Sequence, residues 1–143
     1  MAIETLRSIT SGNEAVEFLC GDFVNDTRIY AQRYDYAYSR FTLHAITFTQ
    51  QNELLTNIKN VLKPGGQLYI EARTLRDDLC GKGEYAGDNA FIYGGHYRRF
   101  IDPENLAEIM SAMGYKIISL QENSGFSKTR DSDPVLMRLK AGI

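Results

Sequence analysis

The sequence has no tryptophan and only three prolines, two histidines and two cysteines in 143 residues, and the shortage of histidine and cysteine removes a class of function. Cys20 and Cys80 lie sixty residues apart without a Cys-x-x-Cys spacing, and His44 and His96 are too few to complete a zinc site with them. No metal centre is expected, and both cysteines read as buried or partly buried free thiols. No run of about 18 apolar residues occurs, so no membrane-spanning helix is expected. Met1 to Thr10 lacks an apolar core of signal-peptide length, which points to a cytoplasmic location. Neither sign of charge dominates: 16 basic and 18 acidic residues leave a formal net charge of -2. That balance gives no general electrostatic reason to bind nucleic acid or an anionic membrane, so a small-molecule or protein partner is expected.

What is present is a β-α-β pattern within one domain spanning residues 1–143. The apolar-aromatic run Tyr34–Tyr38 reads as a strand, and Gln67–Ala72 as a second one. Between them, Gln50 to Val61 carries Leu54, Leu55, Ile58, Val61 and Leu62 on one stripe, the spacing of a helix lying on a sheet. Pro64 forbids continuation of that helix, and Gly65-Gly66 supply the turn into the next strand. Ala2 to Ile9 has helical spacing closed by Ser11-Gly12-Asn13, Val16–Cys20 reads as a short strand ended by Gly21-Asp22, and Thr27 to Arg33 as a weak helical turn. Leu75 to Tyr93 has no sustained period and reads as an irregular loop of functional length. Asp102 is an N-cap with Pro103 at the first helical position, and that helix runs to Met113. Tyr115–Gln121 and Val135–Lys140 form an antiparallel-looking pair joined by a polar link. The expected fold is α/β, with a mixed sheet whose last strand is antiparallel.

Ser39-Arg40-Phe41-Thr42-Leu43-His44 and Leu62-Lys63-Pro64-Gly65-Gly66 carry a more specific signal. From about Val16 to Leu139, this wording resembles the second half of class I S-adenosylmethionine-dependent methyltransferases. The resemblance implies a three-layer Rossmann-like fold with strand order 3-2-1-4-5-7-6, of which this chain holds the C-terminal half to two-thirds. The family's first strand and its Glu/Asp-x-Gly-x-Gly cofactor loop would precede Val16, where only fifteen residues stand, with one glycine, Gly12. An incomplete domain lacking the first two strands is therefore expected. A lone Val16–Cys20 strand would leave four or five backbone donors and acceptors unpaired, at about 1–3 kcal/mol each if buried. A longer parent, a partner chain, or sliding of that strand against Tyr34–Tyr38 would resolve this. A homodimer or partner chain at an open sheet edge is the expected form of assembly.

The resemblance also implies roles for individual residues. Asp22 stands where an acid accepts from the adenine amino group, with Phe23 against the ring, although Asp22 reads equally well as a loop cap. Ser39, Arg40 and Phe41 follow the first strand of the β-α-β unit and belong to the cofactor side of the crevice. His44 could take a proton from a hydroxyl acceptor, or be a packed helix-start histidine; His96 is a second candidate base. Glu71 and Arg73 share a strand face and either pair with each other or read a polar substrate. Tyr85, Tyr93, Tyr97, Arg98 and Arg99 would complete an acceptor site. Arginine favours an anionic or sugar-phosphate group, unless one of the pair bonds Asp102 or Glu104. Arg98 and Arg99 alternate, so both are not expected to point inward. The Tyr97–Phe100 segment and the polar link before Pro134 resemble bacterial sugar- and capsule-associated methyltransferases.

Three functions follow. The first is a methyltransferase, or its acceptor-binding part, using S-adenosylmethionine on a polar small molecule. The second is a non-catalytic methyltransferase-like binding or assembly module. The third is a nucleotide- or sugar-binding fragment of another doubly wound enzyme.

Overall fold

Alternation along one strand organises the molecule. The computed structural model describes residues 2–9 and 16–143. After a helix α1 (Ala2–Ile9), strand β1 (Tyr34–Arg40) runs parallel to β2 (Leu62–Arg73), and α2 (Phe48–Val61) makes the crossover. Helix α2 starts two residues earlier than the apolar stripe suggests because of a capping box. Thr47 Oγ1 accepts from Gln50 N at 3.2 Å, and Gln50 Oε1 accepts from Thr47 N at 3.0 Å. Helix α3 (Pro103–Ala112) is capped as expected, with Asp102 Oδ1 accepting from Glu104 N at 3.1 Å and Asn105 N at 3.2 Å. The last strands, β6 (Lys116–Asn123) and β7 (Leu136–Gly142), pair antiparallel, and β7 pairs antiparallel with β2. The sheet order is β1-β2-β7-β6, which corresponds to the expected 4-5-7-6 end of the resembled sheet.

Successive side chains of β2 and β7 face opposite ways. Leu68, Ile70, Ala72, Met137, Leu139 and Ala141 are at most 2% exposed and pack against Leu54, Leu55 and Ile58 of α2 and Leu106 and Met110 of α3. Tyr115 joins this core and is satisfied there by donating to Leu55 O at 2.6 Å. The opposite face carries Tyr36, Tyr38, Gln67, Tyr69, Glu71, Arg138 and Lys140, and Tyr36 and Tyr38 are each 67% exposed. No strand among the described residues pairs with the outer edge of β1.

Three expectations are corrected, for Val16–Cys20, for the burial of Cys20 and for Leu75 to Tyr93. Val16–Cys20 is not a strand: it makes no ladder bonds, because no neighbouring strand offers partners for its backbone groups. Instead, Arg28 Nη2 donates to Cys20 O at 2.7 Å, and the segment enters the core through Val24, 1% exposed. Cys20 itself is exposed, while Cys80 is half-buried. Leu75 to Tyr93 is not an irregular loop throughout. After a series of turns, β3 (Glu84–Tyr85), β4 (Ala90–Tyr93) and β5 (His96–Arg99) form an antiparallel meander. Gly94 and Gly95 have φ of 59° and 75°, and positive φ at both central residues makes the tight two-residue hairpin. The proposed cap Ser11-Gly12-Asn13 lies outside the described residues.

The two-faced sheet predicts that Leu139→Ala destabilises by about 2–5 kcal/mol. Lys140→Ala, one residue along and on the open face, should fall within about 0.5 kcal/mol of wild type. Urea unfolding of both variants measures the contrast.

Candidate functional site

The carboxyl ends of the parallel strands β1 and β2 meet at one side of the sheet, where the chain leaves both strands irregularly. Phe41 follows β1 in a left-handed conformation, φ 57°, and its N–H donates to Glu71 O at 2.9 Å. That bend delivers the 3-10 turn Leu43–Ala45 onto β5 and the end of β2. Leu43 anchors the turn at 1% exposure, Ser39 Oγ bonds Thr42 Oγ1, and the Phe41 ring lies against His44 at 5.5 Å between centroids.

His44 is the most unusual group here. Its Nδ1 is buried with no hydrogen-bond partner. Burial first, then the positive charges of Arg73 and Arg98, lower its pKa to about 4, with Asp77 opposing. The imidazole is therefore neutral at pH 7. Arg98 is half-buried, donates to Tyr93 O at 3.5 Å, and has no carboxylate partner among the described residues.

Glu71 and Arg73 share a face but do not pair with each other, which corrects one sequence expectation. Glu71, 3% exposed, accepts from Arg40 Nε at 2.9 Å on one oxygen and from Arg138 Nε at 2.7 Å on the other. Burial pushes its carboxyl up, but the bonds from the two arginines outweigh burial and hold it below the ordinary value. Arg40 also donates to Ser127 Oγ at 2.9 Å and Arg138 to Phe126 O at 3.0 Å, so this triad fastens the 124–135 loop to the open face. Arg73 donates to Asp77 Oδ2 at 2.7 Å, and Asp77 also accepts from Leu79 N at 3.0 Å and Val135 N at 3.2 Å.

The remaining candidates separate. Arg99 is 4% exposed and bonds Leu43 O, Ile46 O and Gln51 Oε1 rather than Asp102 or Glu104. Tyr97 is half-buried beside Arg98, whereas His96, Tyr85 and Tyr93 are exposed on the meander. Asp22 Oδ1 caps its own turn, accepting from Val24 N at 2.9 Å. Phe23 and Ser39 line one mostly apolar cavity of about 330 Å³ with Tyr30, Tyr36 and Thr42, beside the free edge of β1. Asp77 and Gln51 are two further polar residues of this region that the sequence motifs do not mark. Gln51 carried a signal: a polar residue three and four positions before Leu54 and Leu55, on the core stripe of α2.

Among the described residues no cluster of His, Cys, Asp or Glu could hold a metal ion, and no helix is long and apolar enough to cross a membrane. The chain's one Gly-x-Gly, Gly81-Lys82-Gly83, lies in the turns between β2 and β3 and opens no helix. It therefore does not form the strand-loop-helix cradle that holds a nucleotide-like cofactor.

The depressed His44 pKa has a consequence for stability. Between about pH 6.5 and about pH 4 the unfolded chain binds a proton at this histidine that the folded chain does not, so stability falls as pH falls through that window. Thermal melts from pH 7 to pH 4 should show this loss in the wild type and a smaller one in His44→Gln.

Residues 8–120 match the methyltransferase-domain family. No curated protein sequence matches the chain. An S-adenosylmethionine-dependent methyltransferase from Methanosarcina mazei superposes with a TM-score of 0.70 at 15% identity, over 99% of this chain and 76% of that one. A second S-adenosylmethionine-dependent methyltransferase, from Mesorhizobium loti, gives 0.70 at 11% identity over 99% and 76%. The Burkholderia thailandensis 1,6-didemethyltoxoflavin-N1-methyltransferase, solved with bound 1,6-didemethyltoxoflavin and S-adenosylhomocysteine, gives 0.65 at 18% identity over 97% and 55%. At these identities the structures establish a shared fold. The chain covers more of itself than of any of the three, and through the match over residues 8–120 it belongs to the methyltransferase-domain family.

Proposed function

We propose that this chain forms the acceptor-binding side of an S-adenosylmethionine-dependent methyltransferase acting on a polar small molecule with an anionic group. The observation that carries this reading is His44: neutral, with a buried unpartnered Nδ1, and facing two guanidinium groups of which Arg98 has no acid of its own. A neutral imidazole accepts the proton that a hydroxyl or amine loses as it gains a methyl group. A guanidinium without a carboxylate partner binds a carboxylate or phosphate in a planar, bidentate manner. Together they orient an acceptor by its anion and hold its nucleophilic atom toward His44. Because His44 is already neutral, no prior deprotonation is needed at pH 7.

The described residues fit one end of the cofactor and not the other. Phe23 and Ser39 share the cavity beside β1, which supports an aromatic neighbour for an adenine ring, while Asp22 caps the adjoining turn through Val24 N and does not line the cavity. The backbone cradle for the remainder is lacking among them. When bound, the cofactor supplies an activated methyl group on sulfur, and the protein's task is alignment.

The unpaired outer edge of β1 favours a second element in this reading: the sheet is extended there by a strand from another copy or a partner chain, next to the half-formed cofactor cavity. The alternative, a non-catalytic binding or assembly module, uses the same edge without the chemistry.

Two measurements separate these readings. In an active preparation, His44→Gln should lower kcat by about 10²- to 10⁴-fold with little change in KM. Arg98→Ala should raise KM about tenfold, equivalent to about 1.4 kcal/mol of acceptor binding. Unchanged kinetics in His44→Gln would remove the base. For assembly, sedimentation of the chain should show self-association and calorimetry should show weak or no binding of S-adenosylhomocysteine. A clean monomer with micromolar affinity would overturn the extended-sheet proposal.

A further inference from the structure

Arg99 ends β5 by sending its side chain out of the meander and into the main layer, where it is 4% exposed. A buried guanidinium costs several kcal/mol unless its N–H groups are met. No carboxylate meets it among the described residues. Nε donates to Ile46 O at 3.0 Å, and Nη2 donates to Leu43 O at 3.3 Å and to Gln51 Oε1 at 2.6 Å. Gln51 is itself 2% exposed and is fixed on α2.

The two carbonyls that Arg99 holds flank His44, one immediately before it and one two residues after. The turn between them is a single 3-10 turn, whose backbone bond is Ala45 N to Thr42 O at 2.9 Å. One such bond holds a turn weakly, since 3-10 hydrogen bonds are poorly aligned. The rigid fork of a guanidinium spans both ends of the turn, which a single lysine ammonium does not.

We propose that Arg99 is a positioning residue: with Gln51 setting its orientation, it clamps the Leu43–Ile46 turn and so fixes the depth and direction of the His44 ring. The catalytic meaning of this clamp rests on the reading of His44 as the base, but the clamp itself does not. The charged groups facing His44 are Arg73 and Asp77 from the end of β2 and its following turn and Arg98 from β5, and Phe41 covers the ring from the end of β1. Arg99→Lys leaves this set unchanged and preserves the charge at position 99 while removing the fork.

The sequence contains only two histidines, so imidazole resonances of the full chain can be assigned with a His96→Gln variant and followed against pH. In the wild type, His44 should titrate near pH 4. In Arg99→Lys, the ring is released toward solvent and its midpoint should move up toward the ordinary value of about 6.5. Gln51→Met, which keeps Arg99 but frees its orientation, should move the midpoint in the same direction by less. If Arg99→Lys does not fold, the Gln51→Met titration decides. An unchanged His44 midpoint in the folded Arg99→Lys protein, or in Gln51→Met where that alone folds, overturns the clamp. Loss of the base assignment would appear separately, as undiminished activity in His44→Gln, and would leave this titration intact.

Discussion

Strand β2 is the constraint on which the structure depends. It is paired on both sides, parallel to β1 and antiparallel to β7, and its side chains are divided strictly between two environments. Leu68, Ile70 and Ala72 seal the layer that holds α2 and α3, so Gln67, Tyr69, Glu71 and Arg73 have no choice but the other face. A slip of one residue would place Glu71 and Arg73 in the core and Ile70 in solvent, which no compensating contact could offset. The register therefore fixes where the acid and the arginine emerge at the carboxyl end of the strand.

Three buried charges at or near that end are satisfied in three ways. Glu71 is bridged by two half-exposed arginines from neighbouring strands, Asp77 collects one arginine and two backbone N–H groups, and Arg99 uses carbonyl and amide oxygens only. Each solution ties together segments distant in sequence, because a buried ion is tolerated only where several fixed partners converge. The Glu71 triad holds the 124–135 loop, Asp77 joins the turn after β2 to the start of β7, and Arg99 joins β5 to the turn bearing His44. These polar ties, more than the apolar core, give the ends of β1 and β2 a definite shape. His44 differs from them: its Nδ1 is buried and unmatched, the kind of cost expected where chemistry rather than stability is served.

The β1 edge sets the limit of what the described residues can do alone. An open edge exposes a row of backbone donors and acceptors, and the cavity containing Phe23 and Ser39 lies directly beside it. In the proposed function, cofactor contacts and sheet extension are thus neighbouring problems. A strand added at the edge would alter both, whereas the proposed acceptor side around His44 and Arg98 draws on β1, β2 and β5 within the chain.

Local chemistry made much of this legible. The helical stripe of α2, the Asp102-Pro103 start of α3 and the final antiparallel strands all announce themselves within a few residues, because capping, proline and side-chain alternation act locally. The Gly94-Gly95 hairpin is equally local, but its flanking strands are only four residues each and carry no clear alternation, so the two glycines alone do not announce it. Val16–Cys20 failed for the opposite reason: its composition suits a strand, but a strand exists only where another offers hydrogen bonds. Burial and partnership were decided by the tertiary structure. That Glu71 belongs with Arg40 and Arg138, that Arg99 turns inward to the His44 turn, and that His44 is neutral depend on residues 29 to 67 positions away in the chain. The sequence by itself determined the elements whose signals are local and the family to which they belong. Only the fold determined which charges would meet, because long-range pairing energies depend on distances that no local pattern encodes.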